Sequence, residues 1–169
     1  MNDKKPLIFV DVCNSLANVN EQLHKRGVDT SCYPSPVSRD MLQDLNIFID
    51  ANPIWPVINL VKRLSTQNEI IYLTARRHQL HEITQNWLEQ FKLPKAPLLH
   101  TNGRLKGDFV RTFMVSEQVY GVIEDAPHEI KSILDTNPDI KLFIPDWSYN
   151  RHIEGERVAL QSRRLRRVV

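Results

Sequence analysis

The chain has little glycine and little cysteine, and neither scarcity is neutral for function. Five glycines in 169 residues are scattered, and neither GxGxxG nor GxxxxGK[ST] occurs, so any phosphate must be bound without a glycine-rich loop. Cys13 and Cys32 are the two cysteines. Two thiols support neither a disulfide framework nor a cysteine-based zinc site. No apolar run approaches the length of a membrane span, and Met1 to Lys5 is basic without the apolar stretch of a signal peptide, so the expected compartment is the cytoplasm. Internal repeats and low-complexity tracts are lacking too. What remains is 41% apolar and 25% charged, the composition of a globular protein with one well-buried core.

The net charge of +2 is unevenly spread. Residues 154–169 hold Arg157, Arg163, Arg164, Arg166 and Arg167 against Glu154 and Glu156, an excess of +3, and the remaining 17 basic and 18 acidic residues sum to −1. The four arginines at 163, 164, 166 and 167 suit a nucleic-acid backbone. With Val158, Leu165 and Val168 they equally suit a terminal helix with solvated arginines, and this second reading is favoured.

Apolar runs at Leu7–Val10, Glu69–Leu73, Pro97–His100, Tyr120–Ile123 and Ile140–Ile144 read as about five strands. Between them, Val57, Ile58, Val61 and Leu64 form one helical stripe, and Leu80, Ile83, Trp87, Leu88 and Phe91 form another within His78–Phe91. Pro127 suits a first helical position, followed by Ile130, Ile133 and Leu134. Strands alternating with helices predict an α/β, Rossmann-like parallel sheet covered on both faces. Leu16 to Pro56 breaks the rhythm. This stretch holds the turn Cys32-Tyr-Pro-Ser-Pro-Val-Ser38 and a predicted helix over Asp40–Asp50. Because it leaves just after Asp11, it reads as a helical cap over a site, with a packed surface excursion as the alternative. The expected division is a core of residues 1–15 and 57–153, a cap insertion of 16–56 and a basic segment of 154–169.

Chemistry gathers at the strand ends. Asp11-Val-Cys-Asn-Ser15 follows the first strand, so Asp11 is the first candidate nucleophile. Leu73-Thr74-Ala75-Arg76 ends the second and offers a hydroxyl for a phosphate oxygen. Lys106 precedes a helix and supplies a positive charge, while Glu124 and Asp125 end the fourth strand, where adjacent acids suit a cation. His78 and His81, with the scattered His100, His128 and His152, read as solvated or capping rather than zinc-ligating.

In this order the four motifs resemble those of the haloacid dehalogenase-like hydrolase superfamily. Asp146-Trp-Ser-Tyr-Asn150 is similar to a segment of the 5'(3')-deoxyribonucleotidases, with Ser148 in place of proline. Leu105–Pro127 and the helix with Trp87-Leu88 resemble the phosphatase domain of phage polynucleotide kinase. The resemblance implies a Mg²⁺-dependent phosphohydrolase of nucleotide or nucleic-acid-end phosphomonoesters that forms an aspartyl-phosphate on Asp11. It implies Mg²⁺ on Asp11, the Cys13 carbonyl, Asp125 and, through water, Glu124. Thr74, Lys106 and the main chain at Ala75 would hold phosphate, and Arg76, Tyr149 and Asn150 would face substrate. Gly107 and Asp108 would shape and cap the helix after Lys106.

One position departs from the pattern. The superfamily's phosphatases carry a second aspartate where this chain has Cys13, so slow turnover is expected. The alternative is a phosphate- or nucleotide-binding protein that has lost catalysis. A third reading makes Asp11 structural and gives the work to the arginine-rich tail.

Overall fold

The computed structural model describes residues 4–38 and 40–161. Leu7 to Val10 alternate between two apolar clusters: Ile8 and Val10 face one, Leu7 and Phe9 the other. Successive strand side chains point to opposite faces, so this alternation means the strand is covered on both sides. It is the centre of a six-stranded sheet.

The strands are β1 (Leu7–Val10), β2 (Ala17–Asn18), β3 (Asn52–Pro53), β4 (Glu69–Thr74), β5 (Leu98–His100), β6 (Val119–Ile123), β7 (Lys141–Pro145) and β8 (Glu156–Val158). The helices are α1 (Val19–Lys25), α2 (Asn46–Ile49), α3 (Trp55–Leu64), α4 (His81–Gln90), α5 (Lys106–Met114) and α6 (Pro127–Leu134). The main sheet runs β5-β4-β1-β6-β7-β8 with all its pairs parallel. From β1 the chain builds outward through β4 and β5, then crosses back to β6 and builds the other way. The reversal lies between β1 and β6, where an open α/β sheet leaves a crevice at its carboxyl edge.

Both faces are closed by amphipathic helices. Val57, Ile58 and Val61 of α3 and Trp87 and Leu88 of α4 pack with Ile8 and Val10, while Val110 of α5 and Ile130 and Ile133 of α6 pack with Leu7 and Phe9. Pro127 opens α6 as predicted. Gly107 lets α5 approach α6, since a Cβ there would lie 2.2 Å from the Ser132 carbonyl oxygen. That contact, rather than turn geometry, accounts for the glycine. Asp108 caps nothing with its side chain. The helix start is held instead by Glu129 Oε2, which accepts from the Lys106 amide at 2.8 Å, and by Ser132 Oγ at 3.1 Å from the Gly107 nitrogen.

Two elements differ from the sequence reading. The helix expected over Asp40–Asp50 is a 3₁₀ turn at Met41–Gln43 followed by the single turn α2. Asp44 interrupts it, accepting from the Asn46 amide at 3.0 Å and pairing with Arg26. Short polar side chains that bond nearby main chain compete with helix in this way. A sixth strand, β8, falls in the segment assigned to the basic tail, so Val158 is in a strand and not a helix. Arg157 anchors it by donating to Asn150 Oδ1 at 2.8 Å and to the Asn150 and Ile153 carbonyls. Arg163, Arg164, Arg166 and Arg167 lie outside the described residues.

The insertion between β1 and α3 is fastened to the body. Val19, Leu23, Val28, Ile47, Phe48 and Ile54 join the same apolar cluster as α3 and α4. Trp87 Nε1 also donates to the Ala51 carbonyl at 2.8 Å. Among the described residues no helix is long and apolar enough to cross a membrane.

Candidate active site

Asp11 stands one residue past β1, and its amide still donates to the Ile123 carbonyl at 2.9 Å. Staying in register with β6 brings Asp11 beside Glu124 and Asp125, the residues that follow that strand. One oxygen from each of the three carboxylates lies within 4.8 Å of the others, and all three are buried. Lys106, the first residue of α5, is itself only 2% exposed. Its Nζ lies 2.5 Å from Asp11 Oδ1 and 2.5 Å from Glu124 Oε2.

The oxygens of this cluster are not equally occupied. Glu124 Oε1 accepts from the amides of Asp125 and Ala126 at 3.1 and 3.0 Å, and its other oxygen is taken by Lys106. Asp125 Oδ2 accepts from the Tyr149 hydroxyl at 2.5 Å, whereas Oδ1 has only Ser15 Oγ at 3.5 Å. Asp11 Oδ2 is buried with no partner. An unsatisfied buried carboxylate oxygen costs free energy unless something binds it.

Three carboxylates against one ammonium leave a formal charge of −2 in a buried space. Burial, with the repulsion of Asp11, pushes Glu124 up to about 7 despite Lys106. Asp125 is raised well above the usual carboxylate range by burial and by Asp11 and Glu124. Lys106 stays protonated because Asp11 and Glu124 outweigh the opposing effect of burial. A raised folded-state carboxyl keeps its proton where the unfolded chain has released it, so stability falls as pH rises through that window. The metal-free protein is therefore predicted to lose stability through Glu124 as pH rises from the ordinary carboxylate range to about 7. Chemical denaturation at pH 5 and pH 8 without divalent ions checks this, with the lower midpoint expected at pH 8.

Two adjoining spaces open on Asp11, Cys13, Tyr33 and Ala75. The smaller, about 90 Å³, reaches Lys106, Glu124, Asp125 and His128. The larger, about 390 Å³, is walled by Leu42, Phe48, Leu80, Arg76 and Arg77. Tyr33, Leu42 and Phe48 come from the insertion. Tyr33 is wedged between His128 and Tyr149, with ring centroids 5.5 and 5.4 Å away.

Cys13 is half-buried at the junction. Burial raises its thiol, with Asp11 adding to the rise and Arg76 only partly opposing it. Arg76, 5% exposed, donates from Nε to Cys13 Sγ at 3.0 Å and from Nη1 to Thr84 Oγ1 at 3.1 Å, and lies over the Phe48 ring. Its Nη2 is buried and unpartnered.

The candidate residues thus divide. Asp11, Cys13, Ala75, Arg76, Lys106, Glu124 and Asp125 are brought together at the cleft. Thr74 is fully buried behind Ala75, with its Oγ1 accepting from the Arg76 amide at 3.2 Å. Tyr149 and Asn150, expected to face substrate, are turned to Asp125 instead. The Tyr149 hydroxyl is committed to that carboxylate, and Asn150, wholly enclosed, donates to the Asp125 and Pro145 carbonyls at 3.0 Å each. Sequence reasoning missed Ser15, Tyr33 and Glu129. Only Glu129, an acid in the first turn of a helix after the Asp125 loop, carried a visible signal.

No family model matches the chain. Over 105 residues it is 30% identical to a protein of Halalkalibacterium halodurans that bears the provisional name of nucleotidase, covering 62% of this chain and 51% of that one. The chain thus spans about half the length of this curated relative. A haloacid dehalogenase-like family hydrolase from Streptococcus pneumoniae superposes with a TM-score of 0.60 at 15% identity, covering 92% of this chain and 93% of that one. A chain of the Pnkp1/Rnl/Hen1 RNA repair complex gives 0.56 at 15% identity, covering 85% and 43%. The order of the sheet, the four motifs at its carboxyl edge and these likenesses agree: the chain has the fold of the haloacid dehalogenase-like hydrolases and resembles that superfamily.

Proposed function

We propose that the chain is a Mg²⁺-dependent phosphohydrolase that takes phosphomonoesters of nucleotides or nucleic-acid ends and uses Asp11 as nucleophile. The observation that carries this reading is the buried cluster itself: an Asp11 carboxylate with one free oxygen, two further acids and a lysine at the sheet's switch point. The donor set suits a hard dication, since it is all oxygen and its formal charge of −2 is matched by one such ion. Asp11, Asp125 and the Cys13 carbonyl would hold Mg²⁺, with Glu124 acting through water because its own oxygens are already occupied. Bound there, the ion supplies positive charge to the phosphoryl oxygens.

Asp11 attacks phosphorus and the ester oxygen departs, leaving an aspartyl-phosphate that water then hydrolyses. Lys106 offsets the charge shared by Asp11 and the phosphoryl group. The main-chain amide of Ala75 meets the phosphate oxygens, in a turn that the Thr74 hydroxyl holds by accepting from the Arg76 amide, and Arg76 Nη2 offers a further donor. Tyr149 and Asn150 hold Asp125 in place. The insertion of residues 16–56 serves as the cap, with Tyr33, Leu42 and Phe48 facing the leaving group. The nucleotidase name of the curated relative and the RNA repair complex support a nucleotide-like ester. The basic tail is not assigned a nucleic-acid role.

The weak point is proton transfer. A half-buried thiol at Cys13 whose titration is pushed upward can neither protonate the leaving oxygen efficiently nor activate water, so turnover is slow. This one residue also favours the second reading, a nucleotide-binding protein without catalysis. Phosphate release from nucleoside monophosphates and from phosphorylated polynucleotide ends, with and without Mg²⁺, separates the two. Release that requires Mg²⁺ is the expected result. Binding with no release at high protein concentration leaves only the second.

A further inference from the structure

The carboxyl ends of β4 and β5 gather three histidines that the proposed reaction does not use. His100 closes β5 and is buried, His78 lies in a 3₁₀ turn, and His81 is the first residue of α4. Along the sequence His78 and His81 share a helix start, and His100 stands apart from them. In space their ring centroids form a nearly equilateral triangle of 5.3 Å (His78 to His100), 5.3 Å (His81 to His100) and 5.6 Å (His78 to His81).

The nitrogens are oriented as well as close. His100 Nδ1 lies 2.8 Å from the Arg76 carbonyl oxygen. A carbonyl only accepts, so Nδ1 carries the proton and Nε2 keeps a lone pair. That lone pair accepts from His81 Nδ1 at 3.1 Å, so His81 carries its proton on the nitrogen that faces His100. Two nitrogens bound at ~2.0–2.1 Å to one tetrahedral ion stand about 3.3 Å apart, and their rings have centroids roughly 5 Å apart. The Arg76 carbonyl is also the kind of outer partner that fixes the tautomer of a ligating histidine. Burial lowers His100 from its ordinary value, which keeps it in the neutral, ligating form.

We propose that His78, His81 and His100 form a second metal site, distinct from the acid cluster, for a borderline dication of the zinc or cobalt kind, with water as the fourth ligand. The His81 and His100 nitrogens already stand at about the spacing of two such ligands, and the ion would take the place of the proton between them, releasing it to solvent. Among the described residues, only Asp11, Glu124 and Asp125 present three ligand atoms within 4.8 Å, so His78 completes the site by rotating its exposed side chain inward. Imidazole nitrogen favours zinc, cobalt or nickel where the carboxylate cluster favours magnesium, and the two sites therefore sort ions by donor type. A bound ion would tie the turn before α4 to the end of β5, directly behind Arg76.

The test is a titration of the full chain with Co²⁺ in excess Mg²⁺, which occupies the acid cluster, read by visible absorption. One equivalent with the intense bands of four-coordinate cobalt is expected. In His78→Ala and His81→Ala, whose side chains are not needed in the core, affinity should fall at least 10-fold, because loss of an outer-sphere partner alone costs that much. The same cobalt spectrum in Asp125→Asn would place the ion away from the acid cluster. Absence of those bands in wild type, or their retention at unchanged affinity in either histidine variant, overturns the proposal.

Discussion

Replacing Cys13 by aspartate should raise phosphate release by about 10²- to 10⁴-fold, the range that a positioned acid and base contributes. The substitution puts a carboxylate at the junction of the two spaces, beside the Asp11 cluster. Arg76 conditions the size of the gain. Its Nε already donates to Cys13 Sγ at 3.0 Å and its Nη2 has no partner, so it would hold the new carboxylate ionised. A carboxylate held ionised is in the form that accepts a proton from water but has none to give the leaving oxygen, which draws the gain toward the lower end. Hydrolysis of the intermediate should therefore speed up more than its formation. Steady-state and single-turnover rates of Cys13→Asp and wild type on one substrate measure the two steps. A variant no faster than wild type would show that the scaffold lacks more than this acid.

Lys106→Met should destabilise the fold strongly. It leaves Asp11, Glu124 and Asp125 buried together without a counter-charge, and stranding one side of a buried ion pair costs about 3–5 kcal/mol. The cost depends on pH in a definite direction. At pH 5 Glu124, pushed up to about 7, is largely protonated and Asp125 is raised in the same direction by burial and its acidic neighbours, so the lysine has less charge to offset. At pH 8 the full penalty applies. Denaturation midpoints of wild type and variant should thus lie closer at pH 5 than at pH 8, and added Mg²⁺ should recover part of the difference at pH 8. An equal gap at both values would contradict the electrostatic account.

The parts of this structure that rest on strong periodicity were legible in the sequence. Ile8 and Val10 against Leu7 and Phe9 mark a doubly covered strand, and the stripe of Ile83, Trp87 and Leu88 marks α4. Asp11, Glu124 and Asp125 were legible as a set because strand ends deliver them to one edge, and Lys106 joined them as the residue that opens the helix after β5. The rest depended on contacts with no local pattern. β8 has three residues and is held by Arg157, whose bonds to Asn150 and Ile153 no periodicity reveals. Tyr149 and Asn150 sit where a substrate contact was expected, yet their hydrogen bonds go to Asp125. Tyr33 reaches the cleft through a turn with no regular spacing, and His100 meets His78 and His81 only once β5 lies beside β4.

Phosphate release by wild type and by Asp11→Asn, on the same nucleotide or polynucleotide end at saturating Mg²⁺, bears most directly on the central claim. The substitution keeps the shape of the side chain, relieves the repulsion on Glu124 and Asp125, and replaces the nucleophilic carboxylate with an amide. Release by wild type that is abolished in a folded Asp11→Asn protein is the predicted result. Equal release by both would place the activity elsewhere and contradict Asp11 as the nucleophile.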